Sequence, residues 1–84
     1  IEDDPALAAS INANIGEVYG LLGDHTKAKE YFETVMNLDQ KHNYYVSSSK
    51  NKTRYAQYFF SQKNYTAGLQ MARAAVSIAD QYKI

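Results

Sequence analysis

The chain carries one pattern twice, forty residues apart. Asn12-x-x-Ile15-Gly16-x-x-Tyr19 followed by Ala28-x-x-x-Phe32 recurs as Lys52-x-x-Tyr55-Ala56-x-x-Phe59 followed by Gly68-x-x-x-Ala72. Self-similarity at such a period implies stacked copies of one supersecondary unit, because a single unit cannot bury its own apolar face. The chain of 84 residues has room for two units, 1–42 and 43–84. They are expected to form one structural domain. Arrays of this kind generally need about three units. The chain is therefore expected to be a segment cut from a longer array, whose raw ends a partner or a dimer can cover.

Spacing within each unit is helical. Pro5 suits a first helical position, and Asp3 and Asp4 complement the positive end of the helix dipole, which predicts a helix over 5–22. Gly23 can close it in the left-handed conformation and Asp24 can cap the next. That second helix, over 26–41, sets Ala28, Tyr31, Phe32, Val35 and Leu38 on one face. A third over 45–62 carries Tyr55, Ala56, Phe59 and Phe60, with Asn43 as its expected cap. A fourth over 66–82, capped by Asn64, carries Leu69, Ala72, Ala75, Val76 and Ala79. Lys63 stands where the first unit has Gly23; a left-handed backbone there costs about 1 kcal/mol. Small residues at Gly16 and Ala28, then Ala56 and Gly68, let antiparallel helices approach, and aromatics fill the adjoining space. Most of the eight tyrosines are read as packing residues whose hydroxyls reach the surface.

Composition narrows the chemistry. Without cysteine there is no disulfide framework, thiolate metal site or cysteine nucleophile. No apolar run approaches the length of a membrane span and no signal-peptide pattern occurs. The expected location is cytoplasmic. His25 and His42 fall at turns with no acid at a spacing that suggests a dyad, and His25 reads as a first-turn residue after the Asp24 cap. Two isolated histidines and scattered carboxylates do not make a metal site, and the glycines are dispersed rather than gathered in a phosphate loop. No catalytic residue, metal site or cofactor is expected. The formal net charge is zero but unevenly spread: residues 1–40 hold eight acids against Lys27 and Lys29, a net −6, and residues 41–84 hold seven bases against Asp80, a net +6. Stacked units, or head-to-tail copies, would attract. Lys41, Lys50, Lys52, Arg54 and Lys63 near several tyrosines would suit single-stranded nucleic acid. Helical rotation, however, turns Lys52 away from Lys50 and Arg54, and the chain as a whole is neutral, so no nucleic-acid partner is expected.

These residues resemble the tetratricopeptide repeat. The first unit carries Ile15-Gly16, Tyr19, Gly23, Ala28 and Phe32 of its signature, with Asn12 in place of a large residue and Gln40 in place of the closing proline. The second follows more loosely through Tyr55-Ala56, Phe59, Asn64-Tyr65, Gly68 and Ile78. The resemblance implies an all-α fold of two helical hairpins, four antiparallel helices, forming a segment of a right-handed α-solenoid. The forty-residue period exceeds the family's usual value of about 34. It is similar to a longer-period variety found in bacterial multidomain signalling proteins, and the added length is expected around Gln40–Val46, in an extended helix and a longer loop.

In that family the first helix of each unit lines a concave groove. Carried over, the lining is Ser10, Ala13, Asn14, Glu17 and Leu21, then Lys50, Thr53, Arg54, Gln57 and Phe60. Lys50 and Arg54, four apart, share a helix face and can grip one carboxylate, with Asn14 adding an amide. The trio is similar to part of the carboxylate clamp of chaperone-binding tetratricopeptide domains, although Glu17 sets a negative charge beside it. The competing reading is a solvated face. The resemblance thus implies a protein- or peptide-binding interaction or sensory module, with self-association through repeat ends as a further possibility. The alternative is a spacer or relay that positions a flanking output domain and has no ligand of its own.

Overall fold

A computed structural model describes residues 4–84 as four α-helices: α1 Pro5–Leu21, α2 His25–His42, α3 Tyr45–Ser61 and α4 Tyr65–Tyr82. Asp4 caps α1 by accepting from the Leu7 backbone amide at 3.1 Å, and Asp24 caps α2 through Lys27 at 3.2 Å. Asn64 caps α4 through Ala67. Asp3 lies outside the described residues. Every helix closes on a left-handed residue, and these recur at twenty-residue intervals: Gly23 at φ +82°, Asn43 at 55°, Lys63 at 60° and Lys83 at 59°.

Two expectations about the junction between the units are corrected. Asn43 does not cap α3. It is the left-handed residue that ends α2, and the cap position of α3 falls to Tyr44, whose side chain makes no capping hydrogen bond. Nor does the loop grow. The Tyr44 amide donates to the Asp39 carbonyl at 3.0 Å, a closure that turns the chain within one residue of the helix end. Asn43 and Tyr44 are then the whole connection, and the extra length of the repeat lies in helices of 17 and 18 residues.

The helices pair as two antiparallel hairpins, α1 with α2 and α3 with α4, and α3 packs into the cleft that α1 and α2 leave. That arrangement decides burial. Ala9, Ala13, Ala28, Phe32 and Val35 of the first hairpin are completely buried, and Tyr55 of α3 completes the core with them. Phe32 stacks on Tyr55 with ring centroids 4.6 Å apart, and Tyr55 on Phe59 at 4.4 Å. Burying a phenylalanine completely contributes about 1.5–3 kcal/mol. Gly16 permits the close helix approach, since a Cβ there would lie 3.3 Å from the Ala28 carbonyl oxygen and 3.2 Å from the Phe32 ring. The expected apolar face of α4 is mostly uncovered: Ala75 is buried, but Leu69 and Val76 are exposed, as is Phe60 on α3. Among the described residues nothing packs on the α3/α4 pair as α3 packs on α1/α2.

Candidate functional site

A groove runs between α1 and the facing side of α3, and Arg54 stands at its middle. On one side is a hollow of about 510 Å³ whose walls include Ser10 of α1, Tyr44 and Val46 at the start of α3, and Lys50. On the other is one of about 400 Å³ lined by Glu17, Gly20 and Leu21 of α1 and by Gln57 of α3. Arg54 borders both. Its Nη1 donates to Asn14 Oδ1 at 3.1 Å, and its Nε lies 3.7 Å from Glu17 Oε1. The charged groups stay partly solvated, so this pair alone contributes little to stability. Its effect is positional: it aims the guanidinium across the groove floor. Lys50, one turn earlier, is exposed on the same hollow.

Of the ten lining positions read from the family pattern, Ser10, Asn14, Glu17, Leu21, Lys50, Arg54 and Gln57 come together here. Ala13 does not, because it is completely buried in the core. Thr53 and Phe60 fall on the opposite side of α3, over a hollow shared with Ala72, Ala75, Val76 and Ala79 of α4. Thr53 satisfies its hydroxyl by donating to the Ser49 carbonyl at 2.9 Å. Rotation about one helix separates these two residues from Lys50 and Arg54.

Sequence reasoning missed the polar seam that seats α3. Asp39, buried to 1%, accepts from Ser47 Oγ at 2.7 Å through one carboxylate oxygen and from Asn51 Nδ2 at 3.0 Å through the other. Asn51 Nδ2 also reaches Ser47 Oγ at 3.2 Å. A buried carboxylate needs such donors. The Tyr55 hydroxyl donates to Glu33 Oε2 at 2.8 Å. Burial, and then that hydrogen bond, push the Tyr55 phenol well above the ordinary tyrosine range. Burial also raises Tyr58, whose hydroxyl is hydrogen-bonded to His25 Nδ1 at 2.7 Å. His25 is therefore more than a first-turn residue: it holds α2 to α3. The available signal was a pair of acceptor and donor residues, Asp39 and Asn51, at helical positions otherwise occupied by apolar side chains.

Residues 9–42 match the family model of the tetratricopeptide repeat. The hairpin of α1 and α2 thus carries a tetratricopeptide repeat. No curated protein and no solved structure matches the chain. Such repeats generally mediate protein–protein interaction and are typically non-enzymatic scaffolds. Among the described residues no group of three His, Asp or Glu side chains is placed to hold a metal ion, and no helix is long and apolar enough to cross a membrane.

Proposed function

We propose that the chain is an interaction module that takes an extended or helical protein segment along the α1/α3 groove. The observation that carries this reading is the pair of hollows meeting at Arg54. A ligand crossing from one to the other passes the guanidinium, with Lys50 beside it on one side and Leu21 and Gln57 on the other. Two cations near one apolar-walled hollow favour an acidic segment or a free carboxyl terminus. Glu17 is its built-in competitor, because Arg54 already has a carboxylate within 4 Å. Within this reading, the long period supports a regulatory or sensory segment of a multidomain protein.

The test is a two-dimensional amide NMR titration with short acidic peptides bearing a free or an amidated C-terminus. Shifts centred on Asn14, Lys50 and Arg54 that disappear on amidation are expected. Glu17→Gln should tighten binding by freeing Arg54, and Arg54→Glu should abolish it while leaving the helical circular dichroism unchanged. A dispersed spectrum that ignores every peptide would overturn the carboxylate-reading groove. One observation favours a second reading, a spacer or relay without a ligand: Arg54 is already engaged with Asn14 and Glu17 across the two units. A spacer predicts that Arg54→Glu leaves the parent protein working, whereas enlarging Gly16 or Ala28 disables it.

A further inference from the structure

The face of α3 and α4 that no other described residue covers is the translational counterpart of the face of α1 and α2 on which α3 sits. Ala9, Ala13, Gly16, Phe32, Val35 and Asp39 lie on or beneath the covered face; forty residues on are Ser49, Thr53, Ala56, Ala72, Ala75 and Ala79. These line an open hollow of about 390 Å³. The complementary surface is open as well. The side chains of α3 that meet the first hairpin include Ser47, Asn51, Tyr55 and Tyr58. Their counterparts forty residues earlier are Leu7, Ile11, Ile15 and Val18, a stripe at helical spacing on the outer side of α1. Leu7 is 39% exposed, Ile11 42% and Val18 53%. Residues 4–84 thus present, on their two sides, the two halves of the interface they contain.

The two open halves also match each other in chemistry. Inside the chain, Asp39 meets Ser47 and Asn51, polar on polar. At the equivalent places on the open faces stand Ala79 on one side and Leu7 and Ile11 on the other, apolar on apolar. Inside, the large Tyr58 ring lies over Gly20, where a Cβ would come within 2.8 Å of it. Outside, the small Val18 corresponds to Tyr58 and the large Phe60 to Gly20, so the size relation reverses and is kept complementary. The polar contact of His25 with Tyr58 becomes Tyr65 with Val18, again apolar. Charge points the same way. Each such junction would set a half carrying −6 against a half carrying +6, as the internal seam does.

We infer that this chain associates head to tail with itself, the outer stripe of α1 in one copy docking on the α3/α4 face of the next. The junction repeats the internal α3-on-α1/α2 geometry and has no two-fold symmetry. It therefore generates open-ended assemblies rather than closed dimers. A second copy is the favoured occupant because both mating surfaces, and both signs of charge, are present on the same molecule.

The experiment is sedimentation velocity on the 84-residue chain from micromolar to millimolar concentration, with Ile11→Glu and Val76→Glu as single variants. Both positions are exposed, and circular dichroism melts confirm that each variant folds. The unsubstituted chain should show a sedimentation coefficient that keeps rising with concentration. Each variant alone should stay monomeric, since each has lost one of the two mating faces. An equimolar mixture of the two should form a discrete dimer and nothing larger, because only one competent junction can be made. A second measurement does not depend on those variants. Since the chain has no cysteine, Ile11→Cys and Val76→Cys copies can be mixed under oxidation, and the 11–76 crosslink should predominate over 11–11 and 76–76. A chain that remains monomeric at millimolar concentration would overturn the inference. So would association lost in only one variant with no dimer in the mixture, or crosslinks that are chiefly 11–11.

Discussion

The two hairpins share a plan and differ in what lies on top of them. The first is covered by α3, and its Phe32 and Val35 are completely buried. The second is open on the corresponding face, where Ala72 and Ala75 stand in the equivalent places and Val76 is 59% exposed. The family model matches residues 9–42, in the covered hairpin. The comparison shows how one helical pattern takes two roles: under a neighbour it is a core, and without one it is a surface of small residues. Size follows burial. Where α1 meets its neighbours it supplies Ala9, Ala13, Gly16 and Gly20, and the large rings against its glycines come from α2 at Phe32 and from α3 at Tyr58.

The sharpest way to break this contrast is at Phe32. Phe32→Ala removes a completely buried ring from the stack with Tyr55 and should cost about 3–5 kcal/mol, a large share of what so small a domain possesses. On the open hairpin Val76→Ala should change stability by less than about 0.5 kcal/mol. Urea unfolding of both variants measures the difference. Next comes the polar seam. Asp39→Ala leaves Ser47 and Asn51 without their acceptor and should cost about 2–3 kcal/mol. Combining it with Ser47→Leu and Asn51→Ile copies the polarity of the open faces and should recover part of that loss. A triple variant no more stable than the single one would show that the seam needs its polar shape rather than merely matched polarity.

Two glycines sharpen the comparison further. Gly16→Ala drives a Cβ against a buried ring and the Ala28 carbonyl, neither of which can retreat, and should destabilise by about 1 kcal/mol. Gly68→Ala would bring a Cβ to 2.5 Å from the edge of the Phe60 ring, but that ring is exposed and can swing away. The better helix propensity of alanine should leave that variant unchanged or up to about 1 kcal/mol more stable. The smallest effect is expected at the turns. Lys63 adopts φ 60° where the first hairpin has Gly23, so Lys63→Gly should gain about 0.5 kcal/mol, read as a small rise in the urea midpoint.

Much of the fold was legible from local chemistry. Asp4, Asp24 and Asn64 mark helix starts by accepting from orphan amides and Pro5 by lacking one, and such signals depend on only a few neighbouring residues. Ala28, Phe32, Val35, Tyr55 and Ala56 follow helical spacing and are buried. Asn43 was misread because an asparagine serves either end of a helix: it can cap by accepting or close by turning left-handed. Its separation of twenty from both Gly23 and Lys63 points to the second role. The groove was legible in part. Lys50 and Arg54 are related by helical spacing alone, but the meeting of Arg54 with Asn14 and Glu17 spans about forty residues and depends on how the hairpins stack.

The sequence by itself determined the helices, most of their ends and the spacing of their apolar residues, because hydrogen-bond satisfaction and a 3.6-residue period act over a few neighbours. Tertiary structure alone decided which of the helix faces is covered. Only the docking of α3 into the α1/α2 cleft turns Asp39 into a buried acceptor and makes Ala13 core instead of groove. Those outcomes depend on the relative placement of whole hairpins, which the pattern within each of them does not specify.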